Sequence, residues 1–370
     1  MEPKLDELLH TFIDALDYYT LHLCDPSKSL KSLVTPANVA APLEELVKLA
    51  KLIRAHTTKV GILFEPSSLA KSGSAAIKTI TELSFSLVLF ISVLAQLSPS
   101  QISKIFLKEI VDVSSSLVSY TRVLVTELIL LLQETLSDKA ETKASEDAPK
   151  NHERNEAQSQ VNARLVSVRK MWMACDEITK LIEAGNLKYL EKQTKMHLSL
   201  INDGLEEFSE WAENPKQFDD EDTFGLGDDL FEDEDETVPC APEESDEEPQ
   251  DKEYLTRYSK LWLDKFKLVR LLFFSINKSL PRLVEGECID QIYEAQEQIC
   301  RDIDQLIVDI MLSRIIDHVV KKHATRIDKG CLKIVKILKS ENERSPKKVD
   351  WCISWESKFN GLLDKMYKEC

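Results

Sequence analysis

Apolar residues return every third or fourth position along this chain, through long stretches that hold neither glycine nor proline. Leu5, Leu8, Leu9, Phe12, Ile13, Leu16 and Leu23 set the pattern at the start. An α-helix turns once in about 3.6 residues, so this spacing lines one face with side chains that a neighbouring helix must cover. A sheet-rich chain of 370 residues would need more turn residues than the nine glycines present. The fold class this implies is all-α.

The first helix runs to about Cys24, where Asp25-Pro26 stops it. Pro42 suits a first helical position, and Leu43, Leu46, Val47, Ala50, Ile53 and Val60 continue the stripe. A third helix over about 74–97 is apolar on most of its circumference and is expected to be central. Ser98-Pro99-Ser100-Gln101 has the composition of a capping box, opening a helix that runs to about Leu136. Residues 137–160 are polar and lack a stripe, so their centre is read as a linker. Helical signal resumes at Val161, with a stop at Gly185-Asn186, then continues through Trp211 to Asn214-Pro215. Further helices hold Leu255 to Leu280, Ile289 to Ile310, and about Asp350 onward. Ile316, Val320, Ile327, Cys331, Ile334 and Leu338 either extend the second of these or begin another. The expected organisation is an N-terminal helical bundle, 1–137, a polar linker, 138–160, and a C-terminal bundle, 161–370. No repeat of 20–50 residues marks a solenoid.

The most apolar stretch, LSFSLVLFISVLAQL at 83–97, is shorter than the roughly 20 residues that span a bilayer, and reads as a core helix. MEPKLDELLHTF lacks the basic and apolar regions of a secretory signal, which points to an intracellular protein. Cysteines 24, 175, 240, 288, 300, 331, 352 and 370 show no CxxC spacing, so reduced thiols are expected, with neither disulfides nor a zinc site.

Catalytic and cofactor motifs are missing at the level of local pattern. The seven histidines include no HExxH and no i,i+4 pair, and no GxGxxG, GxxxxGK[ST] or GxSxG occurs. No catalytic residue, cofactor or metal ligand is therefore assigned. A calcium-loop register from Asp220 fails where Phe224 and Phe231 replace ligands. RIIDHVVKKHATRIDKGCLKIVKILK at 314–339 is basic and amphipathic, and reads as a bundle helix with its lysines in water rather than as a nucleic-acid element.

One segment departs from everything else. FDDEDTFGLGDDLFEDEDE, residues 218–236, opens a run that carries 18 acids and one lysine between Asp219 and Glu253. Taking these from the totals of 64 acids and 47 bases leaves 46 of each, so the whole net charge of −17 sits in this run. Such a segment repels itself and buries too little apolar area to order alone, so 218–253 is expected to be a disordered acidic loop inside the second bundle. Phe224, Leu226, Leu230 and Phe231 are candidate partner-binding residues, docking as a short motif on a partner or on the chain's own body while the acids steer the encounter. A solvating spacer with incidental hydrophobes is the competing reading. Ser245, before three acids, and Ser345, in SPKK, are candidate phosphorylation sites.

RKMWMACDEITKL at 169–181, a leucine-rich helix, an acidic loop closing in Pro239-Cys240, and DWCISWESKFNGLLDKM at the end resemble the cyclin-D-binding protein family, also called GCIP. The resemblance covers mainly 161–370, more loosely the N-terminal helices. Family members often carry a Tyr-Pro-Pro break where this chain has MLSRIIDHVV, and the family has been described as containing a helix-loop-helix without a basic region. What the resemblance implies is a non-enzymatic interaction protein of cytoplasm and nucleus that binds cyclins or transcription regulators and restrains them. RLLFF at 270–274 is similar to an Arg-x-Leu cyclin-docking motif, although its place in an amphipathic helix favours burial. Two other classes stay open: a vinculin-like helical-bundle adaptor in cytoskeleton or trafficking, and an enzyme whose acids converge only in three dimensions.

Overall fold

A computed structural model describes residues 2–23, 35–141, 153–213, 249–282 and 284–369. Among the described residues the regular structure is helical throughout: α1 Glu2–Leu23, α2 Pro42–Leu63, α3 Pro66–Leu94, α4 Lys104–Glu141, α5 Glu153–Glu213, α6 Pro249–Ser279, α7 Gly286–Ser313, α8 His318–Glu341 and α9 Pro346–Glu369. The all-α expectation holds. The chain divides into two compact units, Met1–Tyr189 and Leu190–Cys370.

In the first unit α1 packs on α3 and α4, and α2 lies along α3. The periodic residues Leu5, Leu9, Phe12 and Leu16 are buried, as are Leu83, Leu87, Phe90 and Leu94 of the expected central helix. Three hydroxyls lie in this apolar interior without cost, because Thr57, Ser114 and Thr121 donate to the carbonyls of Ile53, Ile110 and Leu117 one turn back, at 2.8, 2.6 and 2.7 Å. Residues 35–39 run against the end of α3: Gln96 accepts from the Val39 N–H at 3.1 Å and donates to its carbonyl at 2.8 Å.

One local expectation changes here, the start of α4, and one holds, the helix break at Gly185. Residues 98–102 form a turn in which the Ser98 and Ser100 hydroxyls pair at 2.7 Å. Ser103 caps α4 instead, its hydroxyl accepting from the Phe106 N–H at 3.3 Å. Asn186 fixes this cap by accepting from the Ser103 N–H and hydroxyl, so Gly185-Asn186 marks a kink that serves a distant helix start. Gly185 has φ 80° and ψ 176°, and α5 continues beyond it.

The domain boundary also differs from the one read at 138–160. Val168, Met171, Cys175, Ile178 and Ile182, the inward face of α5 before the kink, belong to the core of the first unit. A stripe shows that a helix is covered and is silent about which partner covers it. The extent of polar sequence between helices also shrinks, because α4 reaches Glu141 and α5 begins at Glu153.

In the second unit α7 lies along α8, while α6 packs on α8 and α9. The α7–α8 approach is close at Gly330, where a Cβ would stand 2.8 Å from Cγ1 of Ile299. The choice left open around 311–318 is resolved as a break: α7 ends with Arg314 in the left-handed region, φ 54°, and Asp317 caps α8 by accepting from Val319 N–H and Val320 N–H at 2.8 and 3.0 Å. Phe208 and Trp211 of α5, and Trp262 and Phe266 of α6, build the aromatic part of this core.

Candidate functional site

The partner-binding candidates Phe224, Leu226, Leu230 and Phe231, and the phosphorylation candidate Ser245, lie outside the described residues. Their flanks, Glu213 at the end of α5 and Pro249 at the start of α6, both belong to the second unit. Ser345 is described and half-buried in the turn before α9. Its N–H donates to the Asn342 carbonyl at 2.7 Å and its carbonyl accepts from Lys348 N–H at 2.9 Å. A phosphate on Ser345 would sit at the positive end of α9 beside Arg344, Lys347 and Lys348.

Leu272 of the Arg-x-Leu match is fully buried in α6, while Arg270 points to solvent. The helix gives its leucine to the core, so this motif is packing in the folded unit. The exposed apolar residues of α6 are instead Leu271 and Phe274, the latter under the Lys278 ammonium at 4.2 Å.

Sequence reasoning missed one feature of the second unit. Lys265 is 1% exposed, forms an ion pair with Asp328 of α8, and lies 4.3 Å from the Trp262 ring centroid and 5.2 Å from that of Phe359. Burial lowers the lysine's pKa and raises the aspartate's, and each partner's charge offsets the other's shift. A signal existed: Lys265 falls inside the apolar register of Trp262, Phe266 and Val269, where a cation needs a partner. The ring-sealed pair links α6, α8 and α9.

Other buried polar groups likewise join helices within one unit. Asp302 of α7, 2% exposed, meets the His323 Nδ1 of α8 at 2.7 Å and accepts from Gln298 at 2.7 Å. His197 of α5 is buried beside Tyr293 of α7, and burial holds its pKa below the ordinary histidine value. Glu127 of α4 accepts from the Ser167 hydroxyl at 2.9 Å, and burial raises its pKa. The five described cysteines are free thiols, and burial pushes Cys175 and Cys300 up to about 12, which removes thiolate at neutral pH. No group of three or more His, Cys, Asp or Glu side chains is placed to hold a metal among the described residues.

What the described surface offers is apolar area on helices. On α3, Phe85 is 63% exposed with Leu89 one turn on, and α5 exposes Leu165, Val166 and Met173 in the first unit. Helices Ser72–Leu94 and Lys104–Thr135 are long and apolar enough to cross a membrane by length and composition; half of each helix's most apolar stretch is buried inside the structure.

Comparison with known proteins adds a family match over part of the chain. Residues 45–214 match the family model described as Grap2 and cyclin-D-interacting, N-terminal. The match supports a GCIP-type family. It falls on α2 to α5, so the family signal lies largely upstream of the residues 161–370 that carried the resemblance in sequence, and the two share only 161–214. The chain is also 26% identical over 345 residues to uncharacterized protein YLR287C of Saccharomyces cerevisiae, covering 90% of this chain and 89% of that one. The similarity to the yeast protein is therefore nearly full length. Phe85, Leu89, Leu165, Val166 and Met173 all fall within the GCIP-type span.

Proposed function

We propose that this GCIP-type chain is a non-enzymatic binding protein that engages cyclins or transcription regulators in cytoplasm and nucleus and restrains them. The observation that carries the reading is the family match over α2 to α5. Two features of the chain support it. Three polar pairs, Lys265 with Asp328, Glu127 with Ser167 and Asp302 with His323, tie helices together within a unit, which suits a scaffold. The matched span presents Phe85 and Leu89 one helical turn apart, a spacing that a helical or extended partner segment can grip. The acidic run supplies a second contact, with Phe224, Leu226, Leu230 and Phe231 as anchors and the acids as steering charge.

The test is affinity purification from cells, and direct binding to a purified D-type cyclin, with three chains: intact, residues 218–253 replaced by a Gly/Ser linker, and Phe85→Ala/Leu89→Ala. Recovery of a cyclin or transcription regulator by the intact chain, with loss in either variant, supports the reading and assigns the contact. If the intact chain recovers neither class and binds no cyclin, the reading is overturned.

A further inference from the structure

The outward face of α8 carries cations without anions. Lys322, Arg326, Lys329, Lys333 and Lys336 follow one another at intervals of four, three, four and three residues, which puts them on one side of the helix over about 21 Å. All five are exposed. The opposite side is the buried face of Val320, Ile327, Cys331, Ile334, Val335 and Leu338. The two acids within α8 are committed elsewhere, Asp328 to Lys265 and Glu341 to the Cys288 thiol at 3.2 Å. Arg326 stands 3.6 Å from Asp302 of α7, while the four lysines have no ion pair among the described residues. Other helices of this unit neutralise their cations locally, as in Lys195–Glu191, Arg257–Glu253, Lys267–Asp264 and Arg301–Glu297. Like charges three and four residues apart oppose helix formation, so the stripe stands out against its own unit.

The chain itself holds the complementary charge. All of its net −17 lies between Asp219 and Glu253, and the described ends on either side, Glu213 and Pro249, belong to the same unit as α8. The 35 residues 214–248 can span about 100 Å when extended, several times the length of the stripe. Tethering within one chain supplies an effective concentration of order mM, which favours this occupant over a free polyanion. We infer that the basic stripe of α8 is the docking surface for the acids of the chain's own run upstream of α6, residues 219–248. The stripe is then neutralised in the resting protein, and a partner that takes the acidic run must displace it from α8. The inference does not depend on which partner binds.

Lysine acylation followed by mass spectrometry tests it on the intact chain and on the chain with 219–248 replaced by Gly/Ser. In dilute salt, Lys322, Lys329, Lys333 and Lys336 should react several-fold more slowly in the intact chain, with Lys48 and Lys170 unchanged as internal references. The difference should vanish at about 1 M salt, where charges are screened beyond about 3 Å. Carbodiimide coupling of the intact chain alone, mixed as isotopically heavy and light copies, should join the stripe to 219–248 within single copies. Equal lysine reactivity in both chains overturns the inference, as do couplings only between heavy and light copies, which would make a second molecule the occupant.

Discussion

Lys265 concentrates the residue-scale physics of this protein. Removing the ammonium leaves Asp328 half-buried and unpaired, so Lys265→Ala should destabilise by about 3 kcal/mol in urea titration. Lys265→Met combined with Asp328→Leu should lose clearly less, because neither charge then remains in the apolar core. His197 makes a separate prediction with a definite sign. Its folded pKa is below the ordinary value of about 6.5, so the unfolded chain binds the extra proton and stability falls as pH drops through about 6.5. The urea midpoint should therefore decline from pH 7.5 to 5.5, and His197→Phe should flatten that decline. The lysine could have been found in sequence, as a cation in an apolar register, whereas Asp328, 63 positions away, could not.

At the scale of elements, helix identity was legible and helix ends were less so. The stripes of α1, α2, α6 and α7 needed no tertiary information, because a 3.6-residue period names its own buried face. The start of α4 was misread since Ser98 and Ser103 both have capping chemistry, and the choice was made by Asn186, more than eighty residues on. Two glycines separate backbone cost from packing cost. Gly185 has nothing within 4 Å of a built Cβ but a φ of 80°, so Gly185→Ala should cost about 1–3 kcal/mol through the backbone alone. Gly330 lies inside α8 and meets Ile299 at 2.8 Å, so Gly330→Ala should cost about 1–3 kcal/mol by overpacking, which Ile299→Val should partly relieve. Chemical denaturation of the two variants and the Gly330/Ile299 double variant checks both.

The whole molecule is an electrically balanced pair of helical units bearing one strongly acidic run. Replacing 219–253 by a neutral linker removes 18 acids and one lysine, leaving 46 acids and 46 bases. The isoelectric point should rise from about 5.0 to near neutrality on a focusing gel, and solubility near pH 7 should fall as net charge vanishes. The GCIP-type match, residues 45–214, spans part of both units and ends just before the acidic run begins.

By itself the sequence determined the helical class, the buried stripe of nearly every helix, the break at Gly185 and the isolation of net charge in one run. Each of these is local, set by periodicity, backbone conformation or composition within a few turns. The tertiary structure decided where the units divide, which serine caps α4, which acid shelters Lys265, and that four lysines of α8 share an exposed face without an ion pair among the described residues. Those depend on which helix covers which, and no single stripe carries the address of its partner.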